Sequence, residues 1–429
     1  MFKKQFDIVI GNPPYIQLQK NGGRLGKLYK NKGFETFSGR GDIYVLFYEK
    51  GIKILKENGI LTFITSNKWM RAGYGEKLRK FFLRYNPILL IDLGPDVFES
   101  ATVDTNILIV QKTNNQHRLK ALEYNDKTIP LEISLRTKSV ILEKLTKDVW
   151  FIGSKEEIAL KEKIERIGKP LKDWDVKIYY GIKTGLNEAF IITTEKRNEI
   201  LANCKDEEER KRTEAIIKPV LRGRDIKRYY YEWKGLWLIL AYIGIDIDKY
   251  PSLLKYLSIF EEKLKARRNA DKSYKWYELQ AGYTTHISEF EKEKIVWQRI
   301  TQEPTFCLVE PNVFILDSMA FFTGKNLKLI MALLNSKVIY KYVKMIVHQY
   351  GFDGFRLSNQ YVEMMPLPTI SQSNQHIVSQ IETLVDKILT AKKSNLEAKT
   401  SHWEKEIDQL VYKLYGLTED EIRVVEKSG

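Results

Sequence analysis

The sequence predicts an α/β fold over its first hundred or so residues, then a longer mixed α+β region and a helical C-terminal segment. Three observations carry this. An apolar run, Phe6-Asp7-Ile8-Val9-Ile10, is broken at once by Gly11-Asn12-Pro13-Pro14, as a buried strand ended by a loop would be. Apolar runs at 60–65, 88–93 and 105–110 then alternate with amphipathic stretches, the pattern of strands interleaved with helices. From Trp150 to Pro368 the texture changes to short strands, turns and basic clusters, before two apolar stripes at helical spacing close the chain.

In order, residues 6–10 read as a strand suited to burial on both faces, with no earlier strand to pair with. Either it is an exposed, adhesive edge or another polypeptide supplies the missing part of the sheet. Residues 17–41, rich in Gly, Lys and Asn, read as a long exposed loop. A helix is expected from Asp42 as N-cap, with Ile43, Leu46, Phe47, Ile54 and Leu55 largely on one face, ending at Asn58-Gly59. Then come a strand at 60–65, a basic helix over 68–84, and strands at 88–93 and 105–110 close enough to pair antiparallel. Residues 116–150 are polar and read as a linker with a little strand and helix. Near the C-terminus, Ile377, Ile381, Leu384, Val385 and Ile388 form one stripe and Ile407, Leu410, Val411 and Leu414 another, which predicts a helical hairpin. The expected domains are 1–115, 116–150 (linker), 151–370 and 371–429.

Composition narrows the function. The 429 residues carry 70 Lys and Arg against 55 Asp and Glu, a net charge of +15 that favours a polyanionic partner, nucleic acid ahead of membrane. The 24 Tyr, 19 Phe and 8 Trp provide faces on which bases could stack, although most aromatics serve cores. Two cysteines, Cys204 and Cys307, cannot build a disulfide framework or a zinc site, and the histidines lack ligand spacing. No secretory signal and no spanning apolar run are evident, so a cytoplasmic, metal-free protein that does not engage membrane is expected.

The run Asn12-Pro13-Pro14-Tyr15 carries the chemistry. Ligands of open α/β sheets bind beyond the carboxyl ends of the strands, where this run falls. An exocyclic base amine is a poor nucleophile because its lone pair is delocalised into the ring. The Asn12 side-chain oxygen and the Pro13 carbonyl can accept its two N–H groups and draw the nitrogen towards tetrahedral geometry. Pro13 and Pro14 lack N–H groups and fix φ, so the loop is stiff and presents carbonyls. Tyr15 can stack on the base, which must first leave the duplex.

Residues 6–15 resemble the catalytic motif of the amino-methyltransferases that act on adenine N6. Gly41-Asp-Ile-Tyr-Val-Leu-Phe47, Leu55 to Ile64, and Ser66-Asn-Lys-Trp69 follow in the order of TaqI-like and type IIG restriction-modification methylases. The resemblance implies a class I, Rossmann-like methyltransferase sheet, of which this chain carries part. Ile91 to Ala101 resembles a later hairpin loop of that family; the resemblance implies that Phe98 packs against the flipped adenine. It also implies S-adenosyl-L-methionine as cofactor, but the family's Gly-rich donor loop lies upstream of the motif and is absent here. Gly22-Gly23, Gly26 and Gly39-Arg-Gly41 do not follow a strand and do not replace it.

Tyr180 to Ile191 resembles a signature of the TaqI-like specificity domain, and the likeness continues through Lys218–Tyr229, Trp276–Leu279, Lys294–Trp297, Leu333–Ser336 and Gln360–Pro368. Lys218, Arg222, Arg224, Lys227 and Arg228 stand against one acid, Asp225, a cluster suited to phosphate. Lys183 and Thr184, between Gly181 and Gly185, are further candidates for contact with DNA, whereas Arg267-Arg268 is expected to be solvated on a helix. The expected partners are double-stranded DNA and an N-terminal methyltransferase half, in the same or a separate polypeptide, possibly with a nuclease domain. The alternative reading is a DNA-specificity module without catalysis of its own.

Overall fold

The computed structural model describes residues 5–95, 97–98, 103–267, 274–280, 286–347, 349–350 and 354–427. The chain forms two compact units, residues 1–162 with 343–348, and residues 163–342 with 349–429.

The first unit is built on a six-stranded mixed sheet of order β1-β2-β4-β3-β5-β6. Its strands are β1 (Phe6–Gly11), β2 (Leu55–Ser66), β3 (Asn86–Gly94), β4 (Thr105–Gln111), β5 (Leu119–Glu123) and β6 (Val140–Leu142). β1 and β2 are parallel, with Ile8 opposite Ile60 and Ile10 opposite Thr62. β4 lies antiparallel between β2 and β3, as the short connection between its apolar run and that of β3 predicts.

Helices that accompany the sheet include α1 (Lys20–Tyr29), which is broken at Asn21–Gly23, α2 (Tyr44–Ile54), α3 (Glu76–Phe82) and α4 (Leu131–Thr137). One face of the sheet presents Leu61, Phe63, Leu90, Leu108 and Val110 to a core that includes Tyr48 and Ile52 of α2 and Phe81 and Phe82 of α3. α2 lies so close that a Cβ on Gly51 would stand 2.4 Å from Leu61 Cδ1, so any larger residue there would have to displace that side chain. On the opposite face, Leu131 and Leu135 of α4 pack on Ile91, Leu93 and Leu122. That cover stops short of β1, where Ile8 is 65% and Ile10 78% exposed.

Several local expectations need revision. Residues 119–142 are not a linker, because β5, α4 and β6 extend the sheet. Each element is short and offers few apolar residues between polar ones, so no period emerges. The stretch 17–41 is anchored by fully buried Leu18 and Thr36. The basic helix expected over 68–84 is instead two 3-10 turns, Asn67–Met70 and Gly73–Gly75, followed by α3. Asp42 does not cap α2, whose N-cap is Ile43 without a side-chain bond.

The second unit holds two four-stranded sheets. In one, β7 (Val176–Tyr180), β11 (Lys294–Gln298), β12 (Phe306–Val309) and β14 (Met319–Gly324) take the order β12-β11-β14-β7, entirely antiparallel. In the other, β8 (Ile191–Thr193), β9 (Ile217–Leu221), β10 (Leu236–Ile239) and β13 (Phe314–Ile315) take the order β13-β9-β10-β8. One cluster of buried residues, including Ile182, Val220, Leu238, Phe290, Phe314 and Phe321, joins the two sheets. At the C-terminus α5 (Gln375–Ser394) and α6 (Ser401–Leu414) pair, followed by α7 (Glu419–Glu426). Ile381, Leu384, Val385 and Ile388 of α5 and Ile407 and Val411 of α6 are buried, which is the stripe arrangement the sequence predicts.

Candidate functional site

In the first unit the site grows from the end of β1. Gly11 sits opposite Phe63 of β2, and a Cβ there would touch the Phe63 ring at 3.4 Å. The chain then leaves the sheet. Asn12 and Pro14 are exposed, Pro13 is buried and Tyr15 is half-buried. The loop is pinned on its far side: Ile43 N donates to Ile16 O at 2.8 Å and Leu18 N to Gly41 O at 2.9 Å. Two stiff prolines between these anchors fix where Asn12 projects.

The Tyr15 ring meets Tyr44 edge-on, with centroids 6.3 Å apart, and faces Phe98 at 6.4 Å with a 57° tilt. The structure therefore brings Tyr15 and Phe98 together beside the Asn12-Pro13-Pro14 turn. Residues 96 and 99–101 of the segment around Phe98 lie outside the described residues. Partial burial raises the Tyr15 phenol above its ordinary range, so it remains neutral at physiological pH.

Behind the loop lies a polar layer at the carboxyl ends of β2 and β3 and the amino end of the antiparallel β4. Tyr74 Oη donates to Asp42 Oδ2 at 2.9 Å and lies 2.7 Å from Tyr44 Oη. Burial raises the Asp42 carboxyl; the Tyr74 hydrogen bond and the charges of Lys68 and Lys20 oppose that shift. Asn67 Nδ2 donates to Asp92 Oδ1 at 2.9 Å, and Asn106 Nδ2 donates to Ser66 O at 3.0 Å. Asn67 Oδ1, Asn106 Oδ1 and Thr105 Oγ1 are buried and have no hydrogen-bond partner among the described residues. Unsatisfied buried acceptors are costly unless something completes them, and these cluster at the strand ends where α/β sheets bind ligands. The sequence offered no signal for Asp42 with Tyr74, because a lone Asp ahead of a helix reads first as a cap.

In the second unit the basic candidates divide into two groups. Lys183, Arg224 and Lys227 are exposed and Lys218 is half-buried, and none has a carboxylate partner among the described residues. Arg222 instead donates to Asp225 through Nε at 3.1 Å and Nη2 at 2.9 Å. Arg228 places Nε 3.1 Å from Glu404 Oε2 of α6, an ion-pair distance at an angle too poor for a hydrogen bond. The neighbouring Tyr229 is fully buried at φ +75°, an unusual backbone for a bulky residue. Thr184 is buried and its hydroxyl lies 2.6 Å from Asn187 Oδ1.

Arg267 is not solvated. Its guanidinium donates to the carbonyls of Thr184 at 3.0 Å and Glu278 at 2.9 Å, and also to that of Trp276, bracing the 183–185 turn. Arg268 lies outside the described residues. No group of His, Cys, Asp and Glu among the described residues could hold a metal, and no described helix is long and apolar enough to cross a membrane.

The mixed sheet with its Asn-Pro-Pro-Tyr turn, and the basic two-sheet unit that follows, are similar to parts of known restriction-modification methyltransferases. Residues 1–98 match the Eco57I restriction-modification methylase family, and residues 218–367 match the TaqI-like C-terminal specificity domain. The type II methyltransferase M.BstVI of Geobacillus stearothermophilus is 23% identical over 461 residues, covering 98% of this chain and 75% of that protein. The type II methyltransferase M.PaeR7I of Pseudomonas aeruginosa is 26% identical over 294 residues, covering 64% of this chain and 49% of that protein. The type II restriction enzyme and methyltransferase RM.Eco57I of Escherichia coli is 32% identical over 204 residues, 44% of this chain and 19% of its own length. The solved structure of the type IIL restriction-modification enzyme MmeI in complex with DNA shares the fold. Its TM-score is 0.63 at 14% identity, over 97% of this chain and 55% of that one. The chain thus joins a segment that matches the Eco57I methylase family to one that matches the TaqI-like specificity domain, and it spans about half the length of M.PaeR7I and of MmeI.

Proposed function

We propose that this chain supplies the target-base loop and the sequence-reading unit of a DNA methyltransferase acting on the exocyclic N6 of adenine. The observation that carries the reading is the turn after β1: exposed Asn12 and the Pro13-Pro14 carbonyls lie beside the facing rings of Tyr15 and Phe98. Asn12 Oδ1 and Pro13 O accept the two amine hydrogens of a flipped adenine, and the two rings hold its faces. The rings stand 6.4 Å apart. They are tilted by 57°, so they must part and turn towards parallel to hold a base, which needs roughly 7 Å between two rings at van der Waals contact.

S-adenosylmethionine is the methyl donor that the resemblance implies. The described residues do not fit it. Such a site needs a glycine turn directly after a strand. Gly22 and Gly23 lie instead in the broken start of α1, and a Cβ on either would meet nothing within 4 Å. The donor site is therefore assigned to a companion half of the sheet, in the same or a separate polypeptide. β1 pairs only with β2 among the described residues, and Ile8 and Ile10 are exposed beside it, so the edge and face that such a half would cover are present.

The test is methyl transfer to duplex DNA by this chain combined with the companion half, with N6-methyladenine read by mass spectrometry of the nucleosides. Asn12→Ala should lower the rate by about 100- to 1,000-fold, the effect of removing one preorganised polar group at a reacting centre. A fully active variant would sink the proposal. The same lack of a donor site supports a second reading, a specificity module without catalysis. Sequence-selective DNA binding with no methyl transfer in any combination would favour it.

A further inference from the structure

We infer that Arg299, seated on the Tyr180 ring, is a specificity-determining residue that contacts a base edge of the DNA target. The inference rests on the DNA-recognition reading above and assigns it a residue that neither the basic cluster nor the glycine turn contains. Tyr180 ends β7 with 51% of its surface exposed, unusual for an aromatic in a sheet packed into the core. The Arg299 guanidinium lies over that ring, its carbon 4.8 Å from the centroid.

Arg299 follows β11 directly. Its backbone N donates to Ser318 O at 3.1 Å and its Nη1 to Asp317 O at 2.8 Å. The side chain is thus held by an aromatic plane and a backbone carbonyl, and no carboxylate among the described residues neutralises it. Nε is buried without a partner among the described residues. Arg222 and Arg228, the arginines that the basic cluster first suggests, carry Asp225 and Glu404. A guanidinium paired with a carboxylate has its charge and part of its fork committed to that partner. One immobilised on an aromatic ring with its charge intact keeps its donors preorganised for the paired acceptors of guanine.

Hydrogen bonds tie this pair to the surrounding basic surface. Gln298, the preceding residue, donates through Nε2 to Gly223 O at 2.6 Å, next to Arg224. Asp317 N donates to Ile182 O at 2.9 Å, next to Lys183. Arg299 and Tyr180 are thus linked through neighbouring residues to the segments that carry Lys183 and Arg224. Unpaired cations suit phosphates, which position the duplex, and a rigid arginine on an aromatic plane suits a base edge, which specifies it.

The experiment is selection of preferred duplexes from a randomised pool by the full chain, its Arg299→Lys variant and its Tyr180→Ser variant, with thermal melting to confirm that each folds. Arg299→Lys keeps the charge but loses the planar fork; Tyr180→Ser removes the platform at an exposed site. Both should relax the same single position of the selected sequence. Discrimination there, roughly 5- to 150-fold for a good arginine contact, should fall below about threefold while affinity for non-specific duplex changes little. Unchanged sequence preference in both folded variants would overturn the inference and leave Arg299 at most a contact to phosphate. A wild-type chain that enriches no sequence would overturn the DNA-recognition reading itself, and this inference with it.

Discussion

The polar side chains of this protein show how partners decide what a residue can do. Lys294 is fully buried, and its ammonium donates to the carbonyls of Phe290 and Lys292 at 2.8 Å and Glu310 at 3.0 Å. Three donors meet three acceptors, which only the protonated form can supply. Burial nevertheless lowers its pKa from the ordinary lysine value to about 7, since desolvation penalises the charge. A base with a depressed folded pKa is protonated less readily in the fold than in the unfolded chain. Stability should therefore rise with pH between about 7 and the ordinary lysine value and be lower and flat beneath that window. Lys294→Met leaves the three carbonyls without their shared donor and should cost about 2–4 kcal/mol. Chemical denaturation from pH 6 to 9 checks both claims: the wild type should gain stability above pH 7 and the variant should lack that gain. A variant as stable as the wild type, with the same pH slope, would contradict them.

At the scale of elements, β1 and its turn were readable because an abrupt apolar run stopped by Gly-Asn-Pro-Pro has few structural interpretations. What covers β1 was not readable, because apolar residues say that burial is wanted and not what supplies it. The structure answers for the first unit: Val9 packs into the core behind α2, while Ile8 and Ile10 stay exposed. Their side chains share a face with Ile60 and Thr62, following the parallel register. An Ile10→Lys change should therefore leave the isolated chain within about 0.5 kcal/mol of the wild-type stability, as exposed substitutions do. The same change places a charge where the companion half would pack and should abolish assembly with it, as read by co-elution on size-exclusion chromatography. Loss of stability without loss of assembly would place Ile10 in this chain's own core instead. β5, α4 and β6 teach the converse lesson. The apolar residues of β5 and β6, Leu119, Leu122 and Leu142 among them, fall in short runs between polar ones, and only the register of β5 on β3 and of β6 on β5 reveals them as part of the sheet.

Across the whole molecule, the net charge of +15 pointed to a polyanion, but charge alone does not say how many cations are available to it. Asp225 lies three residues from Arg222, and that pairing could be read from the sequence; Glu404 lies far along the chain from Arg228, and that one could not. Of the five basic residues at 218–228, the fold commits these two to carboxylates. Lys218, Arg224 and Lys227, with Lys183 from the neighbouring turn, remain without such partners among the described residues. Each phosphate contact lowers the logarithm of affinity by about 0.9 per tenfold rise in salt. Four such contacts predict a slope near −3.6, and so about a hundredfold loss of affinity between 50 and 200 mM salt. Lys227→Gln should reduce the slope by about 0.9. If Arg222 and Arg228 also broke their ion pairs to bind phosphate, the slope would approach about −5.4. Titration of a labelled duplex at several salt concentrations separates the two values, and the steeper one would show that DNA opens the ion pairs at Asp225 and Glu404.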